Sequence, residues 1–208
     1  MRKYWIIYVW LLCPVCVWGQ SLMSEVIKTM PDSLLPYLDA GKRTELIDFY
    51  HMGVEARTIN KLEEGTVLDT LTNGYAALSL SESSRLQLLL LPNEESDTMI
   101  CAVHTFLGEA PESSVSFYTR DWRKLDAANF ISPVSAQSMM VRPDTMSVEQ
   151  YDSLLKTIDP VMMAAQLSAT DLTLTWTIST PMLNEKEKKA LEAILLQRKL
   201  KWNGKRFN

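Results

Sequence analysis

Residues 75–80 read YAALSL, residues 86–91 LQLLLL, residues 99–107 MICAVHTFL and residues 115–119 VSFYT. Short polar breaks part these runs, at Ser81–Ser84, Pro92–Asp97 and Gly108–Ser114. Breaks of that length join antiparallel neighbours but hold no crossover helix. The stretch from Thr66 to Arg120 therefore predicts an antiparallel meander, with one face covered and the other wet. Within LQLLLL, Leu86, Leu88 and Leu90 share a face while Leu89 and Leu91 crowd the opposite one. A strand with two apolar faces belongs at the centre of a sheet, covered on both sides.

Upstream, Leu22, Met23, Val26, Ile27 and Met30 recur at helical spacing, and Pro31 interrupts them. Asp32-Ser33 recaps a turn through Leu34-Leu35. Leu46, Ile47 and Tyr50 stripe a second helix, roughly Arg43–Met52, which Gly53 is placed to end. Arg57–Leu71 reads as short edge strands, and Asn73-Gly74 as a hairpin turn. Downstream, Ala127–Asp144 has two prolines and no clean period. Ser147 with Gln150 is a capping-box pattern opening a helix through Ile158, stopped by Asp159-Pro160. Val161–Leu167 predicts a strand. Leu172, Leu174, Trp176 and Ile178 then alternate with Thr173, Thr175, Thr177 and Ser179, a strand buried on one face and threonine-lined on the other. Asn184 with Glu187 opens a last helix striped by Leu191, Ile194 and Leu195. Leu200 and Trp202 form a short final strand, turned by Asn203-Gly204.

Helices and antiparallel strands are thus segregated, which predicts an α+β fold: a meander sheet packed against N-terminal and C-terminal helices. The helix-then-strands order recurs loosely. Two related α/β halves, divided near residues 125–146, are the alternative to a single domain over 20–208.

Met1-Arg2-Lys3 precedes an apolar run from Tyr4 to Trp18 and the small Gly19. That pattern predicts a secretory signal peptide, residues 1–19, cleaved to leave Gln20 first. The run is short for a spanning helix, which needs about 20 apolar residues. Neither Cys13 nor Cys16 follows the small residues of a lipid-anchor site. Both leave with the leader, and the remaining Cys101 has no cysteine to pair with. No later stretch is apolar enough to span a membrane. The mature chain would carry 19 basic and 25 acidic residues, a net charge of −6. From Asn184 onward eight basic residues face three acids, a net +5, so the remainder carries −11. A solvated helix face explains such asymmetry most simply.

Motifs for chemistry are sparse. His51 and His104 are the two histidines, and no G-x-S-x-G elbow accompanies them. Cys101 and His104 are three apart on a predicted strand and so point to opposite faces. The chain has no H-E-x-x-H motif. Glu94, Glu95 and Asp97 cluster in one turn without the spacing of a calcium loop, and Glu63-Glu64 reads likewise as a solvated tip. With seven glycines in 208 residues and no phosphate-binding loop, nucleotide binding is not expected. Export and negative charge argue against nucleic acid. No cofactor is expected. Tyrosine, tryptophan and arginine together are what binding hot spots use, which makes Tyr118, Arg120, Trp122 and Arg123 one candidate interaction surface. Trp202 and Lys205, in the basic tail, make another.

The stretch Met30-Pro31-Asp32-Ser33-Leu34-Leu35-Pro36-Tyr37-Leu38, the segment Arg43 through Phe49, Ser114–Tyr118 with Asp121-Trp122, and Lys201-Trp202-Asn203-Gly204-Lys205 carry a resemblance. Together they resemble an uncharacterised family of exported proteins from Bacteroidetes-type bacteria, a domain of unknown function. The resemblance implies a place in the cell envelope or outside the cell, and assigns no activity.

The expectation is therefore an exported, periplasmic or outer-envelope protein that binds an envelope protein or surface polymer without catalysis. A small-ligand or lipid carrier with methionines lining a cavity is one alternative. An envelope-polymer hydrolase working through two facing carboxylates is the other.

Overall fold

The computed structural model describes residues 21–93, 98–158, 160–180 and 183–208. Helix α1 (Leu22–Lys28) starts where the Ser21 hydroxyl accepts from the Ser24 amide, and it buries Met23, Val26 and Ile27. Turns, not helix, carry the chain from Asp32 to Leu38. Helix α2 (Ala40–His51) begins three residues before the predicted Arg43, because Asp39 accepts from Lys42 N and caps it there. Gly53, at φ +70°, turns the chain out of that helix in the left-handed region that glycine tolerates.

Seven strands follow in simple up-and-down order: β1 (Arg57–Ile59), β2 (Gly65–Leu71), β3 (Tyr75–Ser81), β4 (Ser84–Pro92), β5 (Thr98–Leu107), β6 (Pro111–Thr119) and β7 (Lys124–Leu125). Each pairs antiparallel with the next, so the predicted meander is the body of the fold. The Asn73-Gly74 turn forms between β2 and β3, though neither residue takes a positive φ. Asn73 serves α1 instead, its side-chain oxygen accepting from Leu22 N at 2.9 Å and its carbonyl from Met23 N at 3.2 Å.

The sheet is covered on both faces over much of its area, which corrects the expectation of one wet face. On one face Leu68, Ala76, Leu78, Leu86, Leu88, Leu90, Ile100 and Ala102 pack beneath α1 and α2. On the other, Leu89, Leu91, Met99, Cys101, Val103 and Phe117 pack against a second sheet. That sheet has the order β10–β9–β8, from β8 (Met162–Ser168), β9 (Thr173–Ser179) and β10 (Arg198–Lys201). It contributes Ala165, Leu167, Leu174 and Leu200, with Trp202 and Phe207 beyond its last strand. What survives of the wet face is the far end of the large sheet, where Asp69, Ser79, Arg85 and Thr105 lie beyond the small sheet's cover.

Between the sheets the chain makes two short 3-10 turns, Ala127–Asn129 and Ala136–Met139. Helix α3 (Val148–Thr157) opens with the full capping box of Ser147 and Gln150. Asp159 of its predicted stop lies outside the described residues. Helix α4 (Glu185–Glu192) is capped reciprocally by Asn184 and Glu187. Around them Ile158, Leu191 and Ile194 form a third, smaller apolar cluster. Gly204, at φ +96°, closes the terminal turn that returns Phe207 to Trp202. Among the described residues no helix is long and apolar enough to cross a membrane.

Candidate functional site

The six residues singled out from the sequence do not form one surface. Trp122 is 7% exposed and sits in the helix-side core, its indole N–H donating to the Val26 carbonyl at 3.0 Å. Tyr118 packs on it, with ring centroids 5.4 Å apart. Trp202 is 5% exposed in the core on the opposite side of the large sheet, donating to the Pro92 carbonyl at 2.7 Å. Arg120, Arg123 and Lys205 are exposed. Arg123 pairs at 2.9 Å with Asp121. The Thr119 hydroxyl, with Arg123 beside it, holds the Asp121 carboxyl below its usual range. The aromatic members are therefore buried on two faces, and the cations alone reach solvent.

Another place gathers exposed apolar side chains. Leu34, Tyr37, Leu62 and Phe106 are 36, 52, 52 and 55% exposed, and all four line one groove of about 380 Å³. Single exposed leucines are ordinary, but a contiguous apolar set around a concavity marks a binding site. Its first wall is the loop between α1 and α2. Its second is the β1–β2 turn, carrying Leu62. Its floor is the ends of β3, β4 and β5, where Leu80, Ser84, His104 and Phe106 emerge.

Both walls are fastened from inside. Arg43, on the buried stripe of α2, is 1% exposed. Its guanidinium donates to the carbonyls of Ile27 (3.1 Å), Met30 and Leu38, and to the Asp32 carboxylate at 2.9 Å. One cation thus stitches three carbonyls around the turning chain, of which Ile27 also accepts from Met30 N at 3.3 Å. Asn60 does the same for the second wall. Its amide donates to the Leu80 carbonyl at 3.0 Å, and its oxygen accepts from Leu62 N at 2.8 Å and Glu64 N at 3.2 Å. The Lys61 amide donates to the Tyr37 carbonyl at 2.9 Å and ties the walls together. Such a groove is largely formed before anything enters it.

One polar pair marks the floor, where the Ser84 hydroxyl lies 2.7 Å from His104 Nε2. Burial pushes the His104 pKa below its ordinary 6.5 and favours the neutral ring. A histidine with a depressed folded-state pKa adds stability above its unfolded value and loses it as pH falls through the folded one. Wild type is thus expected to lose more stability than His104→Gln between pH 7.5 and pH 5. Denaturant titrations of both proteins at the two pH values check this, and equal losses would refute it. Cys101 takes no part, since it faces the small sheet and His104 faces the groove. Neither pairing of β5 carries a bulge that would bring them together. Burial also pushes the Cys101 thiol far above its usual range, which disfavours the thiolate. No group of three or more His, Cys, Asp or Glu among the described residues is placed to hold a metal. The Glu94, Glu95 and Asp97 cluster lies outside them.

A family model described as "Protein of unknown function (DUF3256)" matches residues 17–207. The chain belongs to the DUF3256 family. A solved structure from Porphyromonas gingivalis W83, a domain of an uncharacterized protein, is similar to this DUF3256 chain at a TM-score of 0.76 and 22% identity. The match covers 91% of this chain and 99% of that one. At that identity the likeness speaks for the fold alone. No curated protein matches.

The groove of this DUF3256 chain escaped the sequence reading, although one signal was present. Leu34-Leu35-Pro36-Tyr37-Leu38 is an apolar run that fits neither helix nor strand, preceded by Pro31 and interrupted by Pro36. An apolar run in a loop must be buried by something else or left exposed for use.

Proposed function

We propose that this protein is an exported component of the cell envelope and acts there as a non-enzymatic binding module. Its partner would be another envelope protein that seats a large apolar side chain in the groove between the Leu34 loop and Phe106. The observation that carries this reading is the exposure of Leu34, Tyr37, Leu62 and Phe106 around one concavity with braced walls. A buried apolar anchor in a rigid pocket is where interfaces concentrate their energy. The basic, apolar leader pattern at residues 1–19 supports export.

A photo-crosslinking residue at position 37, introduced in the native host, is expected to capture one partner in stoichiometric yield. Adding Phe106→Asp should abolish the capture. Phe106 is exposed and its ring lies 4.5 Å from that of His104, so its replacement should cost no more than about 1.5 kcal/mol. Fractionation and N-terminal sequencing should find the mature chain in the envelope, beginning at Gln20. An intact leader in the cytoplasm, or capture that survives Phe106→Asp, would sink the reading. A small apolar ligand is the second candidate occupant, because about 380 Å³ falls within the range of small-molecule sites. Native mass spectrometry of protein from envelope extracts separates the two, through a bound lipid-sized mass.

A further inference from the structure

A second concavity lies on the other side of the large sheet. Strand β8 rests its outer edge on that sheet. The Ser113 hydroxyl of β6 accepts from Ala165 N at 2.9 Å, and the Gln87 side-chain oxygen of β4 accepts from Leu167 N at 3.2 Å. Ala165 and Leu167 pair with Trp176 and Leu174 and face the apolar core. Gln166 and Ala164 pair with Thr175 and Thr177 on the opposite face. On that side the two sheets part, leaving a cleft of about 520 Å³. The threonine-lined face read from the sequence is one wall. Asp69, Arg85 and Thr105 of the large sheet form the other.

We propose that this cleft binds a neutral oligosaccharide. Its volume falls within the range of small-molecule sites, about 300–1,000 Å³. What it offers is side-chain chemistry: the Thr175 hydroxyl, the acceptor lone pairs of Thr105 and Thr177, whose hydroxyls already bond Ser113 at 2.8 Å and the Ala164 carbonyl at 3.4 Å, an amide from Gln166, and one charge of each sign. The Arg85 guanidinium makes no ion pair or hydrogen bond among the described residues, and Asp69 accepts from the Ser79 hydroxyl at 2.8 Å. Guanidinium, carboxylate and carboxamide each present two parallel donor or acceptor positions, which suit adjacent hydroxyls on a sugar ring. Leu107 and Pro111 supply an apolar patch for the ring's C–H face.

Two observations decide against other ligands. An extended peptide would add to a free strand edge, but the β8 edge here is already engaged by Ser113 and Gln87. An acidic chain would meet a protein of net charge −4, whose field repels it. The cleft is on the opposite face from the Leu34 groove, so the proposal stands apart from the one above.

The test is calorimetric titration of the full purified protein with chitotetraose, cellotetraose, maltotetraose and mannotetraose. At least one should bind saturably with a Kd at or below about 1 mM. Arg85→Leu should weaken that binding at least about tenfold, with unchanged thermal unfolding. Thr177→Val, at the other wall, should weaken it too, while Phe106→Asp should leave it unchanged. Absence of binding by all four sugars would overturn the proposal. So would affinity indifferent to both cleft variants, or tighter binding of tetragalacturonate or an extended peptide than of every neutral sugar.

Discussion

Replacing Arg43 by leucine is expected to destabilise the protein by about 3–5 kcal/mol, the cost of removing one member of a buried charged network. The guanidinium is fully enclosed and serves the carbonyls of Ile27, Met30 and Leu38. Leucine would leave the Met30 and Leu38 carbonyls inside without a donor, each at about 1–3 kcal/mol before relaxation, while Ile27 keeps the Met30 amide at 3.3 Å. Lysine keeps the charge but lacks the fork that reaches several carbonyls at once, so Arg43→Lys should recover only part of the loss. Asp32→Asn is the contrast, because that carboxylate is 56% exposed. Its pairing is screened by solvent and should contribute within about 1 kcal/mol. Urea unfolding of the three variants measures the series, and a loss for Arg43→Leu no larger than for Asp32→Asn would refute the bracing role. Partner capture at position 37 should fall with Arg43→Leu as well, since the loop it holds is the first wall of the groove.

Trp122→Ala should cost about 3–5 kcal/mol, the range for emptying a large buried aromatic site. The ring fills the helix-side core and its N–H satisfies the Val26 carbonyl. Trp122→Phe keeps most of the volume and forfeits the hydrogen bond, which is worth about 1 kcal/mol. The residue holds φ at +64°, a conformation that bulky side chains rarely adopt. The core around the indole must therefore outweigh the backbone cost at the turn after β6. An exposed contact residue would behave differently, changing stability by no more than about 0.5 kcal/mol. Arg120→Ala, two positions away and exposed, is expected to show that smaller change. Denaturant midpoints for both variants distinguish the roles, and equal shifts would refute the assignment of Trp122 to the core.

The large sheet was legible because its signals are local. Alternation along β4 named both covered faces, and the short breaks left room for hairpins alone. The small sheet was half legible: threonine alternation announced β9 and which of its faces is buried, but nothing in β8 or β9 says which part of the large sheet it packs on. That depends on where the two sheets touch, through contacts between residues 52 and 80 positions apart. Aromatic residues among basic neighbours misled for a related reason. Trp122 and Trp202 stand beside arginines and lysines in the chain, yet tight turns send the indoles inward and leave the charges outside. Arg43 offered a clue that composition hides. It stands three and four residues before Leu46 and Ile47, on the apolar stripe itself, and a cation at such a position needs partners within the core.

The seam between the sheets bears on how this protein behaves in crowded surroundings. A strand rim with open amides recruits a second chain and starts fibril growth. Along β8 the amides of Ala165 and Leu167 are already taken by Ser113 and Gln87. At the opposite rim, Arg198, Lys199 and Lys201 of β10 are exposed, and like charges would repel an identical rim. The small sheet is thus guarded against extension on both sides, and concentrated solutions should stay free of cross-β assemblies that grow from it.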